Sequence, residues 1–237
     1  MKRGVAERLE ELGSRYSLPA SALEQLARLL DALAAEPDPP TTVRDPAAAV
    51  DVHIADSLSG LEIEGLRSAG RIADLGAGAG FPGLPLAVAL PDAAIDLVES
   101  SRRKCEVIER LAVAAGAANA RALPVRAEEL AAGAGGGGAY DAVTVRAVAP
   151  LAVLVEYAAP LLRDGGVLVA WKGARDSEEE RAGEAAAEIV GLRIDEVRKV
   201  RPFEGTLNLN LYLYSKVRST PNQFPRRPGV ASNRPLA

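Results

Sequence analysis

The stretch Arg71-Ile-Ala-Asp-Leu-Gly-Ala-Gly-Ala-Gly-Phe-Pro-Gly-Leu-Pro85 decides the architecture of this 237-residue chain. Ile72 to Leu75 read as the end of a short buried strand, and glycines follow at alternate positions, Gly76, Gly78 and Gly80. Glycine reaches positive φ without a Cβ penalty, so such a run turns sharply and passes close beneath a flat ligand. Pro82 and Pro85 suit the first turn of a helix, where a missing N–H costs nothing. Strand, glycine turn and helix together predict a nucleotide-binding corner.

Gly78, Gly80 and Gly83 satisfy G-x-G-x-x-G, which admits a dinucleotide site, although the pattern alone is weak. Asp74, two residues before the first glycine, argues for a different ligand. A carboxylate there repels a pyrophosphate and suits a cofactor with an ammonium and a sulfonium centre, which describes S-adenosylmethionine. Glu99 lies 25 residues after Asp74, at the end of the next predicted strand, 94–99. This strand–helix–strand spacing returns it beside the glycine turn, where a carboxylate accepts from both ribose hydroxyls. Its plainer reading is a strand-end acid capping the next helix. Asp74, Gly76, Gly78, Gly80 and Glu99 are therefore candidate cofactor-binding residues.

Outward from this corner, residues 5–35 predict two helices, with Ser21 to Glu24 as a capping box and Leu23, Leu26, Leu30 and Leu33 on one face. Four prolines between Glu36 and Pro46 predict an extended linker. Asp45 and Pro46 then start a helix reaching about Leu58 that carries the only histidine, His53. Downstream, strands are expected at 121–125, 140–145, 167–171, 192–200 and 207–214, with helices at 83–90, 104–115, 151–162 and 176–190. Ala127 to Leu130 opens a short turn suited to adenine, and the glycine- and alanine-rich run 132–139 reads as a mobile loop. Five strands alternating with helices, then a closing pair, imply an α/β, Rossmann-like, doubly wound sheet. The expected organisation is an N-terminal helical extension over 1–60, a cofactor-binding domain over 61–215 and a basic tail over 216–237.

At 48% apolar and 25% charged, the chain is too polar for a membrane protein, and no run approaches the ~18 apolar residues that span a bilayer. Met1-Lys2-Arg3-Gly4-Val5 leads into a charged helix rather than a secretory signal. The single cysteine, Cys105, forms no internal disulfide or metal cluster and reads as a small core hydrophobe. These features predict a cytoplasmic protein without a metal site. The net charge of −4 hides an asymmetry: from Gly205 onward there are five basic residues, Lys216, Arg218, Arg226, Arg227 and Arg234, and no acid. Without them, 23 basic residues face 32 acidic ones, so the body carries −9 and the tail +5. A basic arm on an acidic body predicts an RNA-binding tail.

In open α/β sheets the ligand crevice lies at the carboxyl ends of the strands. Asp74 and Glu99 end the first two strands, while Arg126, Arg146 and Lys172 end the next three. Acids at the cofactor side and bases at the other favour a nucleic-acid substrate. Arg146 and Lys172 are the candidate catalytic residues and Arg126 a further RNA contact; the plainer reading of each is a solvated charge at a strand edge.

The fuller motif, Asp74-Leu-Gly-Ala-Gly-Ala-Gly-Phe-Pro-Gly-Leu-Pro-Leu-Ala87, resembles the seven-stranded, class I methyltransferases. Within them it resembles the bacterial small-subunit ribosomal RNA guanine-N-7 methyltransferases, the glucose-inhibited division protein B family. The resemblance includes Val43-Arg44-Asp45-Pro46, His53-Ile-Ala-Asp56-Ser57, Arg146-Ala147, Trp171-Lys172-Gly173 and the ending Thr220 to Gly229 with Pro235-Leu236. It implies a seven-stranded sheet, with the methyl donor held by Gly76, Phe81, Ala127, Glu128 and Arg146. It also implies a guanine of 16S ribosomal RNA, alone or in a ribosomal particle, as substrate. This chain departs from the family at Glu36 to Thr42, at Val52 where members have arginine, and at Asn208-Leu-Asn210.

No nucleophile stands with a base, and His53 alone reads as a packing or capping residue. That suits guanine N-7, whose free lone pair accepts a methyl group without proton removal. An exocyclic amine usually goes with an Asn/Asp-Pro-Pro-aromatic loop after the fourth strand, where Arg146-Ala-Val-Ala-Pro150 stands instead. The rival readings are a small-molecule methyltransferase, an RNA-binding module that has lost catalysis and a dinucleotide-dependent oxidoreductase.

Overall fold

The computed structural model describes residues 3–43 and 45–237, without the side chain of Arg3; Met1, Lys2 and Arg44 lie outside the described residues. Seven strands form one sheet: β1 Arg71–Leu75, β2 Ala94–Val98, β3 Ala120–Leu123, β4 Tyr140–Arg146, β5 Leu162–Lys172, β6 Leu192–Val200 and β7 Leu209–Lys216. Their order is β3-β2-β1-β4-β5-β7-β6. The first five are mutually parallel, and β7 runs antiparallel between β5 and β6. The direction of winding reverses between β1 and β4, so the crevice expected of such a sheet opens there.

Alternation along the strands splits the core into two faces. Ile72, Ile95, Leu97, Ala142, Val169 and Trp171 face one cluster. Ala73, Leu75, Val143, Val145, Leu168 and Ala170 face the other. The first face is covered by α1 Arg3–Tyr16, α2 Ala20–Ala35, α6 Gly83–Ala89 and α7 Arg102–Ala115, and the second by α9 Leu151–Ala158 and α10 Ser177–Val190. Because Leu26, Leu29, Leu30 and Leu33 share a core with Ile72, the N-terminal helices are built into the sheet's packing.

Several local expectations give way to tertiary packing. Helix α2 begins at Ala20 after Pro19, without a side-chain cap, so Ser21 lies inside it and caps nothing. The Pro-rich segment 36–43 is pinned: Glu36 pairs with Arg110, and Thr41 Oγ1 lies 3.0 Å from His53 Nε2. Asp45 does cap the next helix, accepting from the Ala48 N–H at 3.3 Å. That helix is composite: α3 Pro46–Ala49, a π-helical stretch Val50–Ala55, α4 Asp56–Leu58 and a 3₁₀ turn Ser59–Glu62, followed by α5 Glu64–Arg67. Helix α9 stops at Ala158, and β5 starts early at Leu162, with a register break opposite Tyr140/Ala142 absorbing Asp164-Gly165-Gly166. The run 133–139 is a series of turns tied at its end by Gly138 and Ala139 N–H groups to Pro160 and Leu161 carbonyls.

Candidate active site

The glycine turn adopts the backbone that its sequence demands: Gly76, Gly78 and Gly80 have φ of 66°, 59° and 91°. At Gly80 a Cβ would meet Leu84 at 2.5 Å, so the residue is fixed by packing as well as by φ. At Gly78 the nearest atom to a Cβ is 3.8 Å away, so its open side faces free space. A cleft of about 160 Å³ runs alongside, lined by Leu75, Gly76, Val98, Glu99, Arg126, Ala127, Glu128, Val148 and Tyr157 among others.

Glu99 stands where the spacing places it. Its carboxylate is buried beside the turn, accepting from Gly78 N–H at 3.2 Å and Ser101 N–H at 2.9 Å, with Lys104 Nζ 3.6 Å away. Glu128 is buried at the start of α8 Ala127–Ala132, and its Oε1 accepts from the Gly229 N–H at 2.9 Å. Arg126, exposed, precedes that helix, and its N–H is capped by Glu129 at 2.9 Å.

Asp74 corrects the expectation that it lines the cofactor site. Its side chain is fully buried behind the turn, where Oδ2 accepts from Gly83 N–H at 2.9 Å and Oδ1 from Thr144 Oγ1 at 2.9 Å. Burial pushes its carboxyl up to about 7, against the opposing pull of these two bonds and of Arg146. Asp74 therefore holds the turn, and Glu99 and Glu128 are the acids that line the cleft.

Arg146 ends β4 with its guanidinium 5.8 Å from the centre of the Phe81 ring. Its Nη1 donates to Asp56 Oδ2 at 2.8 Å and to the Val52 carbonyl at 3.0 Å. His53 stacks on Phe81, with ring centres 4.4 Å apart and planes 10° from parallel. Burial, helped by the Arg146 charge, lowers the His53 pKa to about 4, so the ring is neutral at physiological pH. His53 Nδ1 and Asp56 Oδ1 are buried without a hydrogen-bond partner among the described residues. The spacing of His53 and Asp56, three apart on a helix, was the available signal that they share a face; nothing in the sequence marked Val148 or Tyr157.

Lys172 does not join Arg146. Arg146 pairs in register with Trp171, so the next residue along β5 points through the sheet. Lys172 Nζ lies 2.5 Å from Glu179 of α10 and 3.3 Å from the Ala149 carbonyl. The basic tail is also not a free arm. Lys216 is buried against Ala159 O and Thr220 Oγ1, and burial lowers its pKa to about 8. Arg226 pairs with buried Glu156, and Arg218 donates to Glu188 O. Arg227 and Arg234 are exposed. Among the described residues no cluster of His, Cys, Asp or Glu is arranged to hold a metal ion, and no helix is long and apolar enough to cross a membrane.

A sheet in this order with a glycine turn at its switch point is a Rossmann-like α/β fold with its ligand crevice at that turn. The fold is similar to that of cofactor-bound Rv0187 from MTB, with a TM-score of 0.56 at 21% identity over 89% of this chain and 96% of that one. It is similar also to a 16S rRNA (adenine(1408)-N(1))-methyltransferase from Catenulisporales acidiphilia, with a TM-score of 0.54 at 17% identity over 67% and 90%. The model of the family described as rRNA small subunit methyltransferase G matches residues 21–204. Proteins named ribosomal RNA small subunit methyltransferase G are 42% identical in Deinococcus radiodurans, covering 90% of this chain and 85% of the relative, and 40% identical in Rubrobacter xylanophilus, covering 81% and 75%. The chain belongs to the rRNA small subunit methyltransferase G family.

The features around the turn suit S-adenosylmethionine, the methyl donor of such transferases. The cleft offers the Glu99 carboxylate for ribose hydroxyls, and Gly78, whose N–H meets that carboxylate, leaves the backbone beside it without a Cβ. Val148 borders the cleft over the turn, placed so that a Cβ on Gly76 would meet it at 2.5 Å. Gly78→Val should abolish binding of S-adenosylmethionine by filling the open side of the turn and straining a left-handed backbone. Calorimetry with the cofactor and its demethylated product checks this, and normal binding would place the cofactor elsewhere.

Asp74 generates a second expectation. Its raised pKa means that the folded state holds the proton more tightly than the unfolded chain, whose reference value is 3.8. This contribution to stability is complete below 3.8 and is lost as pH rises through about 7. Asp74→Asn retains an acceptor for Gly83 N–H and cannot ionise, so its urea midpoint relative to wild type should climb across that window. A constant difference would show that Asp74 is ionised throughout.

Proposed function

We propose that this chain transfers a methyl group from S-adenosylmethionine to N-7 of a guanine in small-subunit ribosomal RNA. The observation that carries the reading is Arg146, held at the carboxyl edge of β4 against the glycine-turn residue Phe81, beside a cleft without a proton-abstracting pair. The cofactor supplies an electrophilic methyl group on sulfur; Gly76, Gly78, Gly80, Phe81, Glu99, Ala127 and Glu128 bind and orient it. Guanine N-7 attacks with its own lone pair, so the enzyme's work is alignment and exclusion of water. Neutral His53, stacked on Phe81, stiffens the wall beside Arg146 and transfers no proton.

Arg146 orients the target by a bidentate phosphate contact or by lying on the purine, both of which need a planar fork. Arg126, Arg218, Arg227 and Arg234 are the exposed candidate cations offered to phosphates. The loop 201–208 after β6 belongs to the same edge, because β6 runs parallel to β5. The protein acts in the cytoplasm, on 16S RNA either naked or within a particle. Incubating each form with labelled cofactor and mapping the product by mass tests this, and 7-methylguanosine is the expected nucleoside. A methylated exocyclic amine, or transfer to small molecules only, would overturn the assignment.

Arg146→Ala should lower turnover by about a hundredfold, the scale of losing one well-placed aligning contact. Arg146→Lys should restore little of it, since a point charge does not replace the fork. Asp56 also loses its cation in the alanine variant, so cofactor titration of the same sample establishes the folded fraction. Full activity of that fraction would move the aligning role away from Arg146.

A further inference from the structure

After β7 the chain does not leave the molecule. Phe224 is buried in the core that α9 and α10 share, and Arg226 is locked to Glu156 of α9. Gly229, at φ 83°, then turns the backbone so that its N–H meets Glu128 Oε1 at 2.9 Å. The following helix, α11 Val230–Asn233, packs on α9, and Ser232 Oγ lies 2.8 Å from the Tyr157 hydroxyl. Arg226 closes the loop by donating to the Arg234 carbonyl at 2.9 Å. Glu128 and Tyr157 both line the cleft.

We propose that residues 229–237 are a strap that positions Glu128 and Tyr157 for the adenosine end of the methyl donor, making Gly229 and Ser232 positioning residues of the cofactor site. This rests on the reading that the cleft takes S-adenosylmethionine. A buried carboxylate needs hydrogen-bond donors, and its orientation is set by the donors it has. At Glu128 the donor is a backbone N–H delivered from 101 residues away. With one oxygen so engaged, the other is held for the donors that adenosine carries, its exocyclic amine and ribose hydroxyls. Tyr157 is fixed in the same way, its hydroxyl meeting Ser232 while its ring borders the cleft. The strap meets the cleft's lining at these two side chains, and these are the route by which its effect travels.

The test is truncation after Pro228, which removes the strap and keeps both Phe224 and the Arg226–Glu156 pair. Calorimetry should show S-adenosylhomocysteine binding weakened about tenfold, the scale of one hydrogen bond to a charged group. In a Glu128→Ala, Tyr157→Phe background, which removes both links, the same truncation should cost less than about twofold more, because changes acting through the same groups are not additive. Gly229→Ala keeps the whole chain and strains only the left-handed turn; it should weaken binding about threefold. That variant carries the test if the truncated chain does not fold. Binding within twofold of wild type in the truncated chain, or full multiplication of the two losses, would overturn the strap. Failure of the intact chain to bind S-adenosylhomocysteine would instead overturn the cofactor reading beneath it.

Discussion

The site depends on one buried carboxylate. Asp74 reaches across from β1 to Thr144, its register partner on β4, and back to the Gly83 N–H at the start of α6. Those two bonds join the strands on either side of the switch point to the helix that follows the glycine turn. Everything that the cleft needs, the left-handed glycines, Phe81 and Glu99 beside Gly78, is draped over this latch. The cost is desolvation, which raises the carboxyl to about 7. Its effect on the cleft is geometric, through the backbone it holds.

This constraint explains how much of the site was legible in the sequence. The corner 71–85 was legible because glycine spacing, flanking apolar residues and proline placement all act locally, and Glu99 followed from a strand–helix–strand length. Which way Asp74 points was not legible. Both readings place an acid at the end of β1, and only the positions of Thr144 and Gly83 decide between them. The chemical reasoning that a carboxylate suits a cationic cofactor applies to Glu99, which faces the cleft. Strand ends were read within a few residues, but β5 began early because the Gly165-Gly166 turn was absorbed into its ladder.

The N-terminal helices bear on the chemistry through one guanidinium. Arg146 is fixed by Asp56 and by the Val52 carbonyl, both from the composite helix after Pro46, while His53 from that same helix stacks on Phe81. The widened π-helical turn over Val50–Ala55 presents these groups together. A backbone carbonyl serves Arg146 whatever side chain stands at residue 52, so valine there leaves this contact intact. Asn210, in the other divergent segment, likewise has a structural duty, donating to the Gly173 carbonyl at 2.6 Å.

The charge of the tail is the place where counting residues misleads most. Five cations without an acid suggest an arm extended toward phosphate, yet a side chain packed into the fold does not swing out as one. Lys216 is buried and Arg226 is paired with buried Glu156, while Arg218, Arg227 and Arg234 stay exposed. Each phosphate contact contributes roughly 0.7 to 0.9 to the log–log salt slope, so these three account for less than about three units of it. The tail's acids were simply elsewhere in sequence: Glu156 lies 70 residues before Arg226, and Glu128 lies 101 before Gly229. A segment so engaged is part of the folded domain. The cation that stands beside the glycine turn is instead Arg146, at the carboxyl edge of the sheet.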